Sequence, residues 1–225
     1  MRSQCEYLTE GWTTMILEFC AENATNIAAA VKKGANRIEL CDNLAVGGTT
    51  PSLAVVEYVV DYCHKHDVSV VTMLRHRGGD FDYDATDVDI LLAELGYLLQ
   101  TETDGIVFGA LKKGRLDKAL IETVKVACDQ YNKDVVMHMA FDQLSRQDQF
   151  EAIDWLADIG VTRILTHGGA EGTSVLDNVD HLCMLRDYAN GRLTIMPGGG
   201  VNKENLVLLH EKVQLAEYHG TKIVG

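Results

Sequence analysis

Residues 15–41, MILEFCAENATNIAAAVKKGANRIELC, decide the fold. Met15–Cys20 is a short apolar run that reads as a strand. Asn23–Lys33 follows with apolar residues spaced for one helix face, lysines at its end and Gly34 as a stop. Arg37–Cys41 is a second strand-like run. Strand, helix and strand in so short a span make a βαβ unit, with parallel strands and a right-handed crossover.

Outward from this unit the alternation continues. Further strands are expected at Ser69–Arg75, Gly105–Gly109, Val135–Phe141, Arg163–His167, Leu193–Met196 and Leu215–His219. Helices are expected at Ser52–Lys65, Asp84–Gln100, Asp117–Tyr131, Arg146–Ile159, Val175–Tyr188 and Lys203–Glu211. Pro51 sits where a first helical turn tolerates proline, behind Thr49 and Thr50 as candidate caps. Eight strands and seven helices close more naturally into a (β/α)₈ TIM barrel than into an open sheet, with the eighth helix short or missing. A doubly wound sheet would carry glycines after its first strand, and CAENATN has none. No linker divides the chain, so residues 14–225 are expected to form one domain, preceded by an extension at residues 1–13.

The 225 residues include 20 basic and 33 acidic side chains, a formal charge of −13. Such a surface repels phosphate backbones and anionic lipid, which argues against nucleic-acid and membrane partners. Six cysteines are scattered without a CxxC pair, and no secretory leader or bilayer-spanning run is evident. Reduced thiols in the cytoplasm follow from that pattern. A symmetric homodimer is the expected assembly on base rates.

Functional residues of a (β/α)₈ barrel gather at the carboxyl ends of its strands. Glu18 and Cys20 share parity on the first strand, as do Glu39 and Cys41 on the second, so each pair points one way. A carboxylate facing the helix layer would be buried without a partner, so the inward direction is expected. The same reasoning brings Arg75, Arg77, His138, Glu217 and His219 toward the barrel mouth. These groups would serve as acid–base candidates in an enzyme, or as a self-satisfied polar plug.

Glycine gives a second signal. Gly168-Gly169 and Gly198-Gly199-Gly200 follow strands six and seven, the latter just before Asn202 as a candidate helix cap. Exposed amides of this kind bind anions, although glycine also serves tight bends. Arg75 and Arg77 beside Gly78-Gly79 add a candidate anion clamp, against the alternative that Arg77 and Asp80 tie their own loop together. Cys20 and Cys41 end neighbouring strands, a spacing that suits a soft ion such as Cu(I), but buried cysteines are also common packing residues.

The stretches LEFCAEN, GANRIELCDNLAVGGTTPS, MLRHRGGDFDYD, DGIVFGALKKGRLD, HMAFD, RILTHGG, IMPGGGVNKEN and EYHG occur in the order and spacing of the CutC family, which this chain resembles from about Met15 to His219. The resemblance implies a (β/α)₈ barrel, a role in copper homeostasis, and a rim set of Glu18, Cys20, Glu39, Cys41, Arg75, Arg77, Asp80, His138, Asp142, Glu217 and His219. It also implies Cys20 and Cys41 as copper ligands. The chain departs from the family pattern at His76, Met139, His167 and Gly220. Met139 and His167 stand where the family has arginine and serine, which favours a metal over phosphate. Two expectations follow: a cytoplasmic copper-binding protein, or a barrel enzyme acting on a small anionic or phosphorylated metabolite.

Overall fold

The computed structural model describes residues 15–169 and 172–225. The expected extension at residues 1–13 lies outside these. Eight parallel strands form the barrel wall: β1 (Ile16–Glu22), β2 (Arg37–Cys41), β3 (Ser69–Met73), β4 (Gly105–Phe108), β5 (Asp134–Met137), β6 (Arg163–Thr166), β7 (Thr194–Pro197) and β8 (Glu217–Gly220). The ladder runs β8-β1-β2-β3-β4-β5-β6-β7, and the ends pack against each other across the remaining seam, leaving the barrel nearly closed.

Among the described residues seven helices cover it: α1 (Ile27–Lys32), α2 (Leu53–His64), α3 (Ala85–Leu98), α4 (Lys118–Gln130), α5 (Arg146–Asp158), α6 (Val179–Ala189) and α7 (Leu206–Val213). No helix forms in residues 221–225, in keeping with a missing eighth helix. Local chemistry fixes the starts. Asp84 and Asp87 cap α3 reciprocally, Asp117 caps α4 and Ser145 caps α5, each satisfying backbone amides that the first turn leaves open.

Several boundaries differ from the sequence expectation. Helix α1 starts late because Asn23 and Asn26 take left-handed backbone (φ 51° and 62°), and Asn23 bonds Asp42 instead of extending the helix. Helix α7 begins at Leu206. Asn202 turns the chain by accepting from the amides of Glu204 and Asn205, so it is not the helix cap. Strand β5 stops at Met137, and His138 accepts from the Ala140 amide to start a 3-10 turn over Met139–Gln143. A hairpin of Leu111–Lys112 and Arg115–Leu116 follows β4, turning at Lys113 (φ 52°) and Gly114 (φ 76°).

Alternation along each strand divides the buried residues into two sets. Ile38 and Leu40 join the large core between wall and helices. Cys20, Cys41, Val71, Met73, Val107 and Val136 form a separate small cluster of the opposite parity, inside the barrel. Charged or titratable groups occupy other lumen positions: Glu18 on β1, Arg37 and Glu39 on β2, Asp134 on β5, Arg163 on β6, and Glu217 and His219 on β8.

Candidate functional site

At the amino end of the lumen the first residues of four strands meet. Arg37 opens β2 and is hydrogen-bonded to both Glu18 and Glu217, with Met196 Sδ 3.4 Å from the same guanidinium. Arg163, opening β6, pairs with Asp134 at 2.9 Å and approaches Glu217 at 3.9 Å. Glu217 is therefore a floor residue in an ion network, not the rim acid expected from sequence, because it is the first residue of β8 rather than the last. Alternating charges at this depth satisfy one another, as a buried ion must.

Above the floor lies the centre of the site. Glu18, fully buried, accepts from His219 Nδ1 at 2.7 Å. The other ring nitrogen, Nε2, stands 3.5 Å from Glu39. Cys20 is paired with Glu39 across the β1–β2 ladder, and Glu18 faces His219 across β1–β8. Ligand atoms of Cys20, Glu39 and His219 all lie within 4.8 Å of one another. Glu39 Oε1 has no hydrogen-bond partner despite its burial. Cys41 is staggered from Cys20, opposite Glu22 on the ladder, so the two cysteines are not side by side as expected. Their thiols still interact.

The electrostatics are those of a proton-loaded cluster. Burial opposes charge on Glu18, but His219 and Arg37 outweigh it and hold the carboxyl down at about 2. Burial likewise opposes charge on His219, yet Glu39, Cys20 and Glu18 together push its pKa well above the usual imidazole value. Burial raises Glu39 against the pull of His219. Cys20 is pushed well up by its hydrogen bond with Cys41, burial and Glu39. For Cys41 the Cys20 hydrogen bond pulls down, but burial and Glu39 carry the thiol to about 11. With a thiol, an imidazole and a carboxylate converging, and one carboxylate oxygen unpartnered, the residues fit a metal ion. Glu18 would then hold the ring through Nδ1 and leave Nε2 for the metal, the usual carboxylate–histidine–metal relay.

Rim loops roof this cluster. A Cβ at Gly48 would lie 3.1 Å from Cys41 Sγ, and one at Gly198 would lie 3.2 Å from His219. Outside them is a cavity of about 520 Å³ lined by Arg75, Phe81, Met139, Asp142, His167 and the glycine loops. Arg75 binds the carbonyls of Val46, Gly48 and Gly79. Asp142 accepts from Thr166 Oγ1 and the His167 amide, at 2.5 and 2.8 Å, and its pKa is raised by burial against those bonds. His138 is held neutral, near 3, by burial and the Arg75 charge; its Nδ1 is an acceptor, which places the proton on Nε2.

Other expected rim residues have structural duties. Arg77 spends its guanidinium on Asp87 at 2.7 Å, Asp80 at 3.2 Å and nearby carbonyls, so it ties its loop and is not an anion clamp. Gly168 and Gly169 pack where a Cβ would collide with Leu182 and Asn178. The Gly198 amide is taken by the Thr166 carbonyl. Sequence reasoning missed Arg37, Asp134 and Arg163. Arg37 was findable, since it shares parity with the inward Glu39 in RIELC.

Residues 15–224 match the model of the CutC family. The family protein CutC of Enterococcus faecalis is 51% identical over 211 residues, covering 93% of this chain and 100% of that protein. A Homo sapiens relative named copper homeostasis protein cutC homolog is 34% identical over 205 residues, 91% of this chain and 72% of its own length. The crystal structure of a Streptococcus agalactiae CutC protein matches with a TM-score of 0.89 at 39% identity, covering 93% of this chain and 100% of that one. By family match, sequence identity and shared barrel, the chain belongs to the CutC family.

Proposed function

We propose that the chain is a cytoplasmic Cu(I)-binding protein of copper homeostasis, holding the ion inside the barrel through Cys20 and His219, with Glu39 and Cys41 beside them. One observation carries this: Cys20, Glu39 and His219 converge within 4.8 Å while Glu18 grips the far side of the imidazole. Thiolate and imidazole are the donors a soft monovalent copper prefers. Glu39 supplies the counter-charge, and the copper-homeostasis name of the human relative points the same way. All described cysteines are free thiols, as a cytoplasmic Cu(I) protein needs.

The test is anaerobic titration of the reduced protein with Cu(I) against a chromophoric chelator. Wild type should bind one ion per chain. Cys20→Ser combined with Cys41→Ser should lose that ion while keeping the circular dichroism spectrum and cooperative melting of the wild type. Unchanged stoichiometry in the double variant would end the proposal.

A further inference from the structure

The rim cavity is separate from the buried centre and is unused by it. Its wall holds Arg75, which is 3% exposed and has no carboxylate partner; all three hydrogen bonds from its terminal nitrogens go to carbonyls. Its Nε makes no hydrogen bond, and its guanidinium lies 4.8 Å over the Phe81 ring. A buried guanidinium without a counter-ion is costly, because carbonyl dipoles replace only part of its hydration. Arg163 and Arg37 in the same barrel are each paired with carboxylates, so Arg75 is the exception.

A second group points to the same ligand. His167 lines the cavity at 4% exposure, and its Nε2 has no partner. The amides of Gly199 and Gly200 also take no partner among the described residues, and both glycines adopt left-handed backbone (φ 70° and 105°) at the cavity edge. Asp142 is the one acid among the described lining residues, and both its oxygens already accept hydrogen bonds. Phe81, Val46 and Met139 give the remaining wall an apolar face. The cavity thus offers a cation, a buried imidazole and open amides around an apolar hollow, the arrangement that recognises an anionic head on a small carbon skeleton.

We propose that this cavity binds a small organic anion, a carboxylate or a phosphate monoester, with its charged head against Arg75 and the Gly199-Gly200 amides. The site does not depend on copper. With a formal charge of −13 on the whole chain, non-specific attraction of anions is absent, so uptake has to come from the cavity itself.

The experiment is calorimetric titration of the metal-free full chain with glycerol 3-phosphate, succinate and inorganic phosphate in separate runs. Succinate or glycerol 3-phosphate should bind saturably at one site per chain and more tightly than inorganic phosphate, which has no carbon skeleton for the apolar wall. The organic arm that binds identifies the head group, and binding of inorganic phosphate alone would overturn the proposal. Arg75→Met should weaken it by roughly tenfold or more, the scale of a lost charge-assisted hydrogen bond. Arg115→Met, which removes an equal charge at an exposed position outside the cavity, should leave the affinity within about threefold on the same scale. Because Arg75 also ties loops, Met139→Trp provides a second variant that fills the cavity from the side and should abolish uptake. Absence of saturable binding in all three runs would overturn the proposal, as would wild-type affinity in a folded Arg75→Met or Met139→Trp variant.

Discussion

Cu(I) affinity should fall steeply as the solution is acidified. In the metal-free protein Glu39, Cys20 and Glu18 favour the imidazolium form of His219, and Cys41, burial and Glu39 favour the thiol form of Cys20, so both pKa values lie well above the usual ones. If Cys20 and His219 are the ligands proposed above, binding needs Cys20 as thiolate and His219 Nε2 without its proton, so two protons should leave for each ion bound. Below both pKa values each proton changes the apparent affinity about tenfold per pH unit, or about 1.4 kcal/mol. The combined change is about a hundredfold per pH unit wherever both groups still hold their protons, so the logarithm of the affinity should rise with a slope of about two on the acid side. Glu39, raised by burial, adds to the slope only where it still carries a proton. A third full power of ten per unit would identify Cys41, whose thiol stands at about 11, as a further ligand. The assay is the anaerobic competition described above, corrected for the chelator's own protonation. Cys20→Ser should lower the slope by one. A wild-type slope of one or less would refute the assignment of Cys20 and His219 as paired ligands.

Other outcomes follow from single contacts. Glu18→Gln weakens the anchor on His219 Nδ1 and should lower Cu(I) affinity by about ten- to a hundredfold; unaltered affinity in the competition assay would mean that Glu18 does not orient the ring. Arg37→Met removes the cation shared by buried Glu18 and Glu217, leaving them only His219 and the more distant Arg163, and should destabilise the fold by about 3–5 kcal/mol, lowering the melting temperature by on the order of 10 °C. That deficit should shrink below roughly pH 5, as the stranded carboxylates gain protons, and melting curves at two pH values check both parts. Gly48→Ala and Gly200→Ala both place a side chain at positive φ, yet only Gly48 would meet a sulfur, at 3.1 Å. Each should cost about 1–3 kcal/mol in backbone strain, and chemical denaturation should show the larger loss at Gly48.

The barrel was legible because its wall is repetitive: eight short, mostly buried runs alternate with longer helical stretches, three of which start at a side-chain cap. Parity alone put Glu18 and Cys20 inside together, and likewise Glu39 and Cys41. Depth was harder to read. Glu217 and His219 differ by one pleat, and that step moves one into the floor network and leaves the other at the centre. Sequence shows which way a side chain faces, but the tilt and stagger of a barrel set its height. Register also decided the cysteines, since ending neighbouring strands did not make them cross-strand partners. The hairpin at Leu111–Leu116 was missed because two-residue strands carry no periodicity, although Lys113-Gly114 is a turn signal. Arg77 and Asp80 were readable as a loop tie, and the structure adds Asp87, on α3, as the stronger partner.

The stagger between the two thiols has a redox consequence. Strands about 4.8 Å apart, with a two-residue offset of about 6.6 Å, place the Cys20 and Cys41 Cα atoms about 8 Å apart, beyond the roughly 7 Å that a disulfide spans without backbone movement. The two thiols interact although the backbone positions are too far apart to be cross-linked without movement of the strands. With the strands in place, oxidation is therefore expected to act on each sulfur singly, along the sulfenic route.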